Sequence, residues 1–180
     1  MSKKQSFSKE NFKGDALDRD LYTASQMKER ALNAAIVDAD IEQGYEKYLA
    51  IFEAFYGDEI EVGSETADEP IRGKNRVRSL LGNFLYPVHM MTEIGGLTVT
   101  IRVAEIAGDV AGETHSAWTA EFVGISGRTN TASWRVFRKW NGSRVVYEYH
   151  YDQQQQGEVL TVGDLSFDAA TPAPQFGRPS

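Results

Sequence analysis

Residues 97–152 hold four long runs rich in β-branched and aromatic side chains, separated by nothing longer than a tight turn, and few architectures can absorb such a stretch. The runs are roughly Leu97–Ile106, Ala111–Gly124, Gly127–Trp140 and Ser143–Asp152. Their joints, Gly108-Asp109, Ser126-Gly127 and Asn141-Gly142, supply the residues that hairpin turns demand. Strands this long, joined this tightly, make an antiparallel meander that twists and coils, and a coiled sheet needs its concave face covered.

The cover lies upstream. Thr23 with Gln26 fits a capping box, and Met27, Ala31, Leu32, Ala35, Ile36 and Ala39 then recur at helical spacing. Asp40 with Gln43 is a second such start, followed by Tyr45, Tyr48, Leu49, Phe52, Phe55 and Tyr56, an unusually aromatic stripe that Gly57 ends. Ile60–Val62 and Glu69–Arg72 read as a short strand pair. Gly73 precedes a third helix with Val77, Leu80, Leu81, Phe84 and Leu85 on one face, which Pro87 closes or kinks before Gly95 and Gly96 turn into the sheet. The predicted class is α+β: a cone of three N-terminal helices packed on a strongly curved antiparallel sheet, with neither parallel strands nor a second domain. The expected organisation is a flexible leader over 1–22, one domain over 23–156 and an irregular tail over 157–180, which carries Pro172, Pro174 and Pro179.

Composition narrows the function. Apolar residues make up 41% of the 180, and aromatics 11%, enough for one sizeable core. A net charge of −7 disfavours nucleic acid and anionic membrane surfaces as partners. With no cysteine there is no disulfide, thiolate metal site or cysteine nucleophile. Three histidines far apart in sequence do not suggest a metal site, and no glycine-rich phosphate loop opens a helix, so no cofactor is expected. Met1–Lys13 is polar and no run approaches the ~18 apolar residues of a membrane helix, so a cytoplasmic location is expected.

The turn into the third helix, Pro70-Ile71-Arg72-Gly73-Lys74-Asn75-Arg76-Val77-Arg78, is followed by Glu121-Phe122-Val123-Gly124-Ile125 with Gly127-Arg128, then Val136-Phe137-Arg138, Asn141-Gly142 and Tyr151-Asp152-Gln153. In this order the motifs resemble the nuclear-transport-factor-2-like (NTF2-like) superfamily, and more narrowly its SnoaL-like branch, over about Ala24 to Gln156. The resemblance implies a homodimer built on sheet faces and a pocket inside the cone. It also implies a small-molecule ligand, with either cofactor-free isomerase, cyclase or dehydratase activity or a non-catalytic binding or dimerisation role. The cyclases' histidine–aspartate acid/base pair would fall on Arg135 and Tyr149, neither of which is the expected residue, so that activity does not carry over.

Alternation assigns faces. On the last strand Val145, Tyr147, Tyr149 and Tyr151 share one side, the more apolar and so the helix side, leaving Arg144, Val146, Glu148, His150 and Asp152 outside. Ser116, Trp118, Ala120 and Phe122 form the matching inward set, with His115, Ala117, Thr119 and Glu121 outward. Two registers are open for the hairpin between. A two-residue turn at Asn141-Gly142 pairs Arg135 with Glu148 and Trp134 with Tyr149, whereas a three-residue loop with a bulge aligns Arg135 with Tyr147.

The candidates for proton chemistry are His89, expected just after the third helix at the pocket mouth, His115 and Asp152. The alternatives are a surface or capping role for His89, an outward position for His115, and a backbone or dimer contact for Asp152. His150 is set aside because its parity points outward. The candidates for ligand contact are Tyr45, Tyr48, Phe52, Trp118, Phe122, Trp134, Tyr147 and Tyr149, and plain core packing is the competing explanation for each. An aromatic pocket with few polar groups suits a flat or hydrophobic small molecule, expected to be largely apolar and ring-containing and bound between the second helix and the sheet; the enzyme reading implied by the resemblance would act on a hydrophobic carbonyl compound.

Overall fold

Helix α1 (Ala24–Asp38) and helix α2 (Glu46–Phe55) lead into strand β1 (Tyr56–Ser64), a two-residue strand β2 (Ile71–Arg72) and the long helix α3 (Lys74–Glu93). Strands β3 (Leu97–Ile106), β4 (Glu113–Gly124), β5 (Thr129–Asn141) and β6 (Arg144–Gly157) follow as the meander. The structure, a computed structural model, describes residues 24–39, 44–93, 96–106 and 112–158. The leader, Thr23, the Asp40–Gln43 cap, the Gly108-Asp109 turn and the tail beyond 158 lie outside the described residues.

The six strands form one sheet in the order β2-β1-β6-β5-β4-β3. The expectation of antiparallel pairing throughout is corrected at one place, because β1 runs parallel to β6 and the sheet is mixed. A parallel neighbour needs a long crossover, and here everything from β2 to β5 intervenes. That partner is far away in sequence, so local pattern could not reveal it. The third helix also differs from expectation, since it continues through position 87 to Glu93 and carries His89 inside it rather than after it.

Three apolar clusters fill the space between helices and sheet. Leu32, Phe52, Tyr56, Ile60, Val77, Trp140 and Val145 form one. Ala39, Tyr48, Leu85, Val88 and Leu97 form a second, with Phe122 against it. Val103, Trp118 and Val136 form the third, with Ile36, Val37 and Trp134 against it. Helix α1 buries only part of the expected stripe, Leu32 and, just past its end, Ala39, with Ile36 packed against the core. Its buried residues are Ser25, Glu29, Leu32 and Asn33, while Met27 is 44% exposed.

The β5–β6 hairpin takes neither of the two expected registers. Asn141 pairs with Arg144, so the tip is Gly142-Ser143, with Gly142 at φ +58°, the left-handed region that glycine enters without a Cβ penalty. Trp140 then pairs with Val145 but Lys139 with Tyr147, which leaves Val146 as an extra residue in β6. Beyond this bulge Arg138 faces Glu148, Phe137 faces Tyr149 and Arg135 faces Tyr151. A second irregularity sets Trp134 against both Asp152 and Gln153, with Asp152 at φ +54°. The first bulge reverses the parity of β6. Val145 points at the helices as expected, but Glu148 and His150 now join it, and Tyr147, Tyr149 and Tyr151 turn to the outer face.

Candidate functional site

Alternation along β5 puts Val136, Arg138 and Trp140 on the helix side, and all three are buried. A guanidinium is thereby carried beneath α1. That helix answers with Glu29 and Asn33, one turn apart and so on the same face. The Arg138 Nη1 donates to Glu29 Oε1 at 2.6 Å and to Asn33 Oδ1 at 3.2 Å. Its Nε donates to Glu148 Oε2 at 2.6 Å, and the Tyr56 hydroxyl donates to the same oxygen at 2.5 Å. Thr114 Oγ1 donates to Glu29 Oε2 at 2.8 Å and accepts the indole N–H of Trp140 at 2.9 Å. The Asn33 amide also donates to Glu105 at 3.3 Å.

Side-chain exposure is 3% for Arg138 and 1% for Glu29, so water screens this carboxylate–guanidinium–carboxylate bridge little. Burial alone would raise the pKa of Glu148. The Arg138 charge and the hydrogen bonds from His150 and Tyr56 outweigh burial and hold the carboxyl far below its usual range. Burial would likewise lower the pKa of Arg138, but Glu29, Tyr56 and Glu148 around it drive the value up, so the guanidinium stays charged. Burial is the leading cause that keeps the Tyr56 hydroxyl protonated, and it also pushes Glu105 up.

One member of this network meets solvent. The His150 Nε2 lies 2.8 Å from Glu148 Oε1, and the imidazole is 28% exposed although its strand position pairs with the buried Val136. Two residues along β5 from Val136, on the same face, Trp134 is only partly buried, stacked on Trp118 with ring centroids 6.1 Å apart, and farther along the sheet Phe122 and Ile101 are also partly exposed. Solvent therefore reaches part of the helix-covered face. An imidazole held by an ionised carboxylate, beside aromatic surface, is suited to taking and returning a proton.

The sequence candidates scatter around this centre. His89 sits within α3, ring to ring with Tyr45 at 5.9 Å and 3.9 Å from Glu93 one turn on. His115 is on the outer face, its Nδ1 3.1 Å from the Tyr151 hydroxyl and its ring against Phe137. Asp152 occupies the second bulge and pairs with Arg135 at 3.3 Å, with both side chains about half exposed. None of these three joins the Glu29–Arg138–Glu148–His150 chain. Tyr48, Phe52, Trp118, Phe122 and Trp134 do lie on the helix–sheet interface, and Tyr45 starts α2 with its ring edge-on to Tyr86. Tyr147 and Tyr149 are corrected. The Val146 bulge sends them to the outer face, Tyr147 against Phe137 and Tyr149 against Tyr151. His150 was visible in the sequence but assigned outward by unbroken alternation. Arg138, Glu29 and Tyr56 gave no local sign of partnership, because strands and helix bring them together from three distant segments. Among the described residues no group of three histidines, cysteines or carboxylates could hold a metal ion.

No protein-family model matches the chain, and no curated protein sequence matches it either. Solved structures do. A candidate polyketide cyclase of Xanthomonas campestris aligns over 71% of this chain and 92% of its own at 13% identity, with a TM-score of 0.50. A computationally designed 17-OHP binder aligns over 76% of this chain and 100% of its own, also at 13% identity and a TM-score of 0.50. An NTF2-like protein of unknown function from Cytophaga hutchinsonii aligns over 71% and 98%, at 12% identity and a TM-score of 0.49. At such identities the likeness is one of fold.

Proposed function

We propose that this NTF2-like chain binds a small, largely apolar, ring-containing carbonyl compound inside the cone and moves a proton on it, with His150 as the base. The observation that carries this reading is the partly exposed imidazole of His150 on the helix side of the sheet, 2.8 Å from a buried and ionised Glu148. A cofactor-free isomerase, cyclase or dehydratase of a carbonyl compound can begin by removing a proton next to the carbonyl, a step that needs only a positioned base. Trp118 and Trp134 supply apolar area near the base, worth roughly 25 cal/mol per Å² buried. A designed protein of similar fold is named as a 17-OHP binder, which supports a ligand-binding role for this fold.

The first experiment is a thermal-shift screen of hydrophobic ketones, lactones and steroids, since a ligand that binds only the folded chain raises Tm. Hits would then be incubated in D₂O to follow exchange of the protons beside the carbonyl. The expected result is exchange that falls about 100-fold or more in His150→Asn while the thermal shift remains. Hits confined to nucleotides or sugar phosphates would overturn the ligand class.

The competing reading is a non-catalytic binding or dimerisation module. It is favoured by the completeness of the network: among the described residues no buried side-chain polar atom lacks a hydrogen-bond partner. Binding with unchanged exchange in His150→Asn would select it. The partner we propose is a second copy of the chain, docked on the outer sheet face where His115, Phe137, Tyr147, Tyr149 and Tyr151 are only partly buried. No helix of the described residues is long and apolar enough to cross a membrane, and we place the protein in the cytoplasm.

A further inference from the structure

Glu148 presents its two oxygens to different partners. Oε2 receives the guanidinium of Arg138 and the hydroxyl of Tyr56, while Oε1 is directed at His150. We propose that Glu148 is the positioning residue of the site: it accepts the Nε2–H of His150, fixes that tautomer, and leaves Nδ1 as the atom that takes the substrate proton. This rests on the reading of His150 as the base and names the atom that acts.

The geometry leaves one consistent assignment. A short contact between an imidazole nitrogen and a carboxylate oxygen needs one proton between them. Glu148 cannot supply it from Oε2, which already accepts two hydrogen bonds, one of them from a cation that is a donor only. Its ionised state, held by Arg138, removes the proton from Oε1 as well. The donor is therefore Nε2–H, and in the neutral ring the lone pair lies on Nδ1.

The carboxylate is itself fixed. Arg138 is gripped from the other side by Glu29 and Asn33 of α1, and the Val146 bulge sets the strand register that turns Glu148 inward. The groups facing Glu148 are thus Arg138 from β5, Tyr56 from β1 and His150 from its own strand, with Glu29 of α1 beyond the guanidinium. When Nδ1 accepts a proton, the imidazolium forms against a carboxylate already in place. Little reorganisation is needed at the moment of transfer.

The test requires no ligand. Histidine-labelled protein, at a pH where the ring is neutral, is examined by long-range ¹H–¹⁵N correlation. The expected His150 pattern is a protonated Nε2 and a bare Nδ1, with an Nε2 proton that exchanges slowly with water. In Glu148→Gln, whose amide can also donate, the Nε2 proton should exchange about tenfold faster or more, as for loss of one hydrogen bond to a charged acceptor. Glu148→Asp should recover part of that protection. Should Glu148→Gln fail to fold, the wild-type pattern still decides, since a ring protonated mainly on Nδ1, or one averaging freely between tautomers, would overturn the proposal. So would a folded Glu148→Gln with unchanged exchange. The thermal-shift screen can fail while this spectrum succeeds, so the two readings are tested separately.

Discussion

Arg138 is the residue on which the interior turns. Removing a guanidinium and two carboxylates from water is costly, and only close geometry with every remaining donor and acceptor engaged offsets that cost. The two 2.6 Å contacts to Glu29 and Glu148 meet the requirement, with Asn33, Thr114 and Tyr56 engaging what is left. Removing the cation alone leaves two carboxylates buried and uncompensated. Arg138→Met is therefore expected to destabilise the fold by about 3–5 kcal/mol in urea unfolding. Adding Glu29→Gln and Glu148→Gln to it should recover part of the loss, because the three side chains act as one unit and their effects are not additive. The network also predicts acid sensitivity. Glu148 has a folded pKa depressed below its unfolded value, so its stabilising contribution is fully present above the ordinary carboxylate pKa of about 4.3 and is lost as pH falls from there toward the lower folded value. Urea midpoints of wild type should drop through that acid range, and those of Glu148→Gln, lower at neutral pH, should fall less. Parallel curves would remove Glu148 as the origin.

Strand β6 shows why faces are harder to read than elements. Long runs with turn residues between them placed the meander strands closely, and Leu97–Ile106 agrees end for end. Alternation on β4 also placed Ser116, Trp118, Ala120 and Phe122 on the helix side. On β6 the tip is one residue later than Asn141-Gly142, and a bulge follows at Val146. Val145-Val146-Tyr147 is apolar throughout, so no residue there marks the slip, and the more apolar set is not the buried one. The actual inner set holds Glu148 and His150, whose burial makes sense only once Arg138 is known to lie opposite. The same blindness affected α1, where Glu29 and Asn33 look like solvated residues until β5 supplies their partner. Fold class was thus written in local periodicity, whereas the polar centre depended on pairing across distant segments. Deleting Val146 tests this reading. Without the extra residue Trp140 still faces Val145, Lys139 faces Tyr147 and Arg138 faces Glu148 in one uninterrupted ladder, so Glu148 and His150 keep the helix side. We expect that chain to retain cooperative unfolding, and Val146→Ala, which keeps the residue count, should cost no more than about 1 kcal/mol. A deletion variant that loses cooperative unfolding would show that the bulge does more than set the register.

At the scale of the whole molecule, the face that β6 gives up to the outside is the strongest argument for a partner. His115, Phe137 and Tyr149 occupy one cross-strand row of β4, β5 and β6, with Tyr147 and Tyr151 beside it. The side chains are mutually packed, His115 on Phe137 at 4.9 Å and Tyr149 on Tyr151 at 6.5 Å, yet all five keep partial exposure. Charged pairs flank the row, Lys139 with Glu113 at 3.4 Å and Arg135 with Asp152 at 3.3 Å. An aromatic centre with a polar, self-neutralised rim is the composition of a protein interface rather than of a solvated sheet. A two-fold axis through the middle of such a row would set the central ring against its own copy and the flanking rings against one another, and bring no net charge to the centre. The net charge of −7 then stays on the remaining surface, where it opposes further association. The proposed homodimer is accordingly expected in sedimentation equilibrium at micromolar concentration. Phe137→Arg, which puts a cation in the middle of the row on a face the fold leaves partly open, should weaken it by about 2 kcal/mol or more, roughly thirtyfold in Kd, while the far-ultraviolet spectrum stays that of the wild type. Lys139→Ala, at the rim, should change Kd by only a fewfold. A wild-type chain that sediments as a monomer throughout the micromolar range would remove the second copy as the partner, and with it the reason for an aromatic outer face.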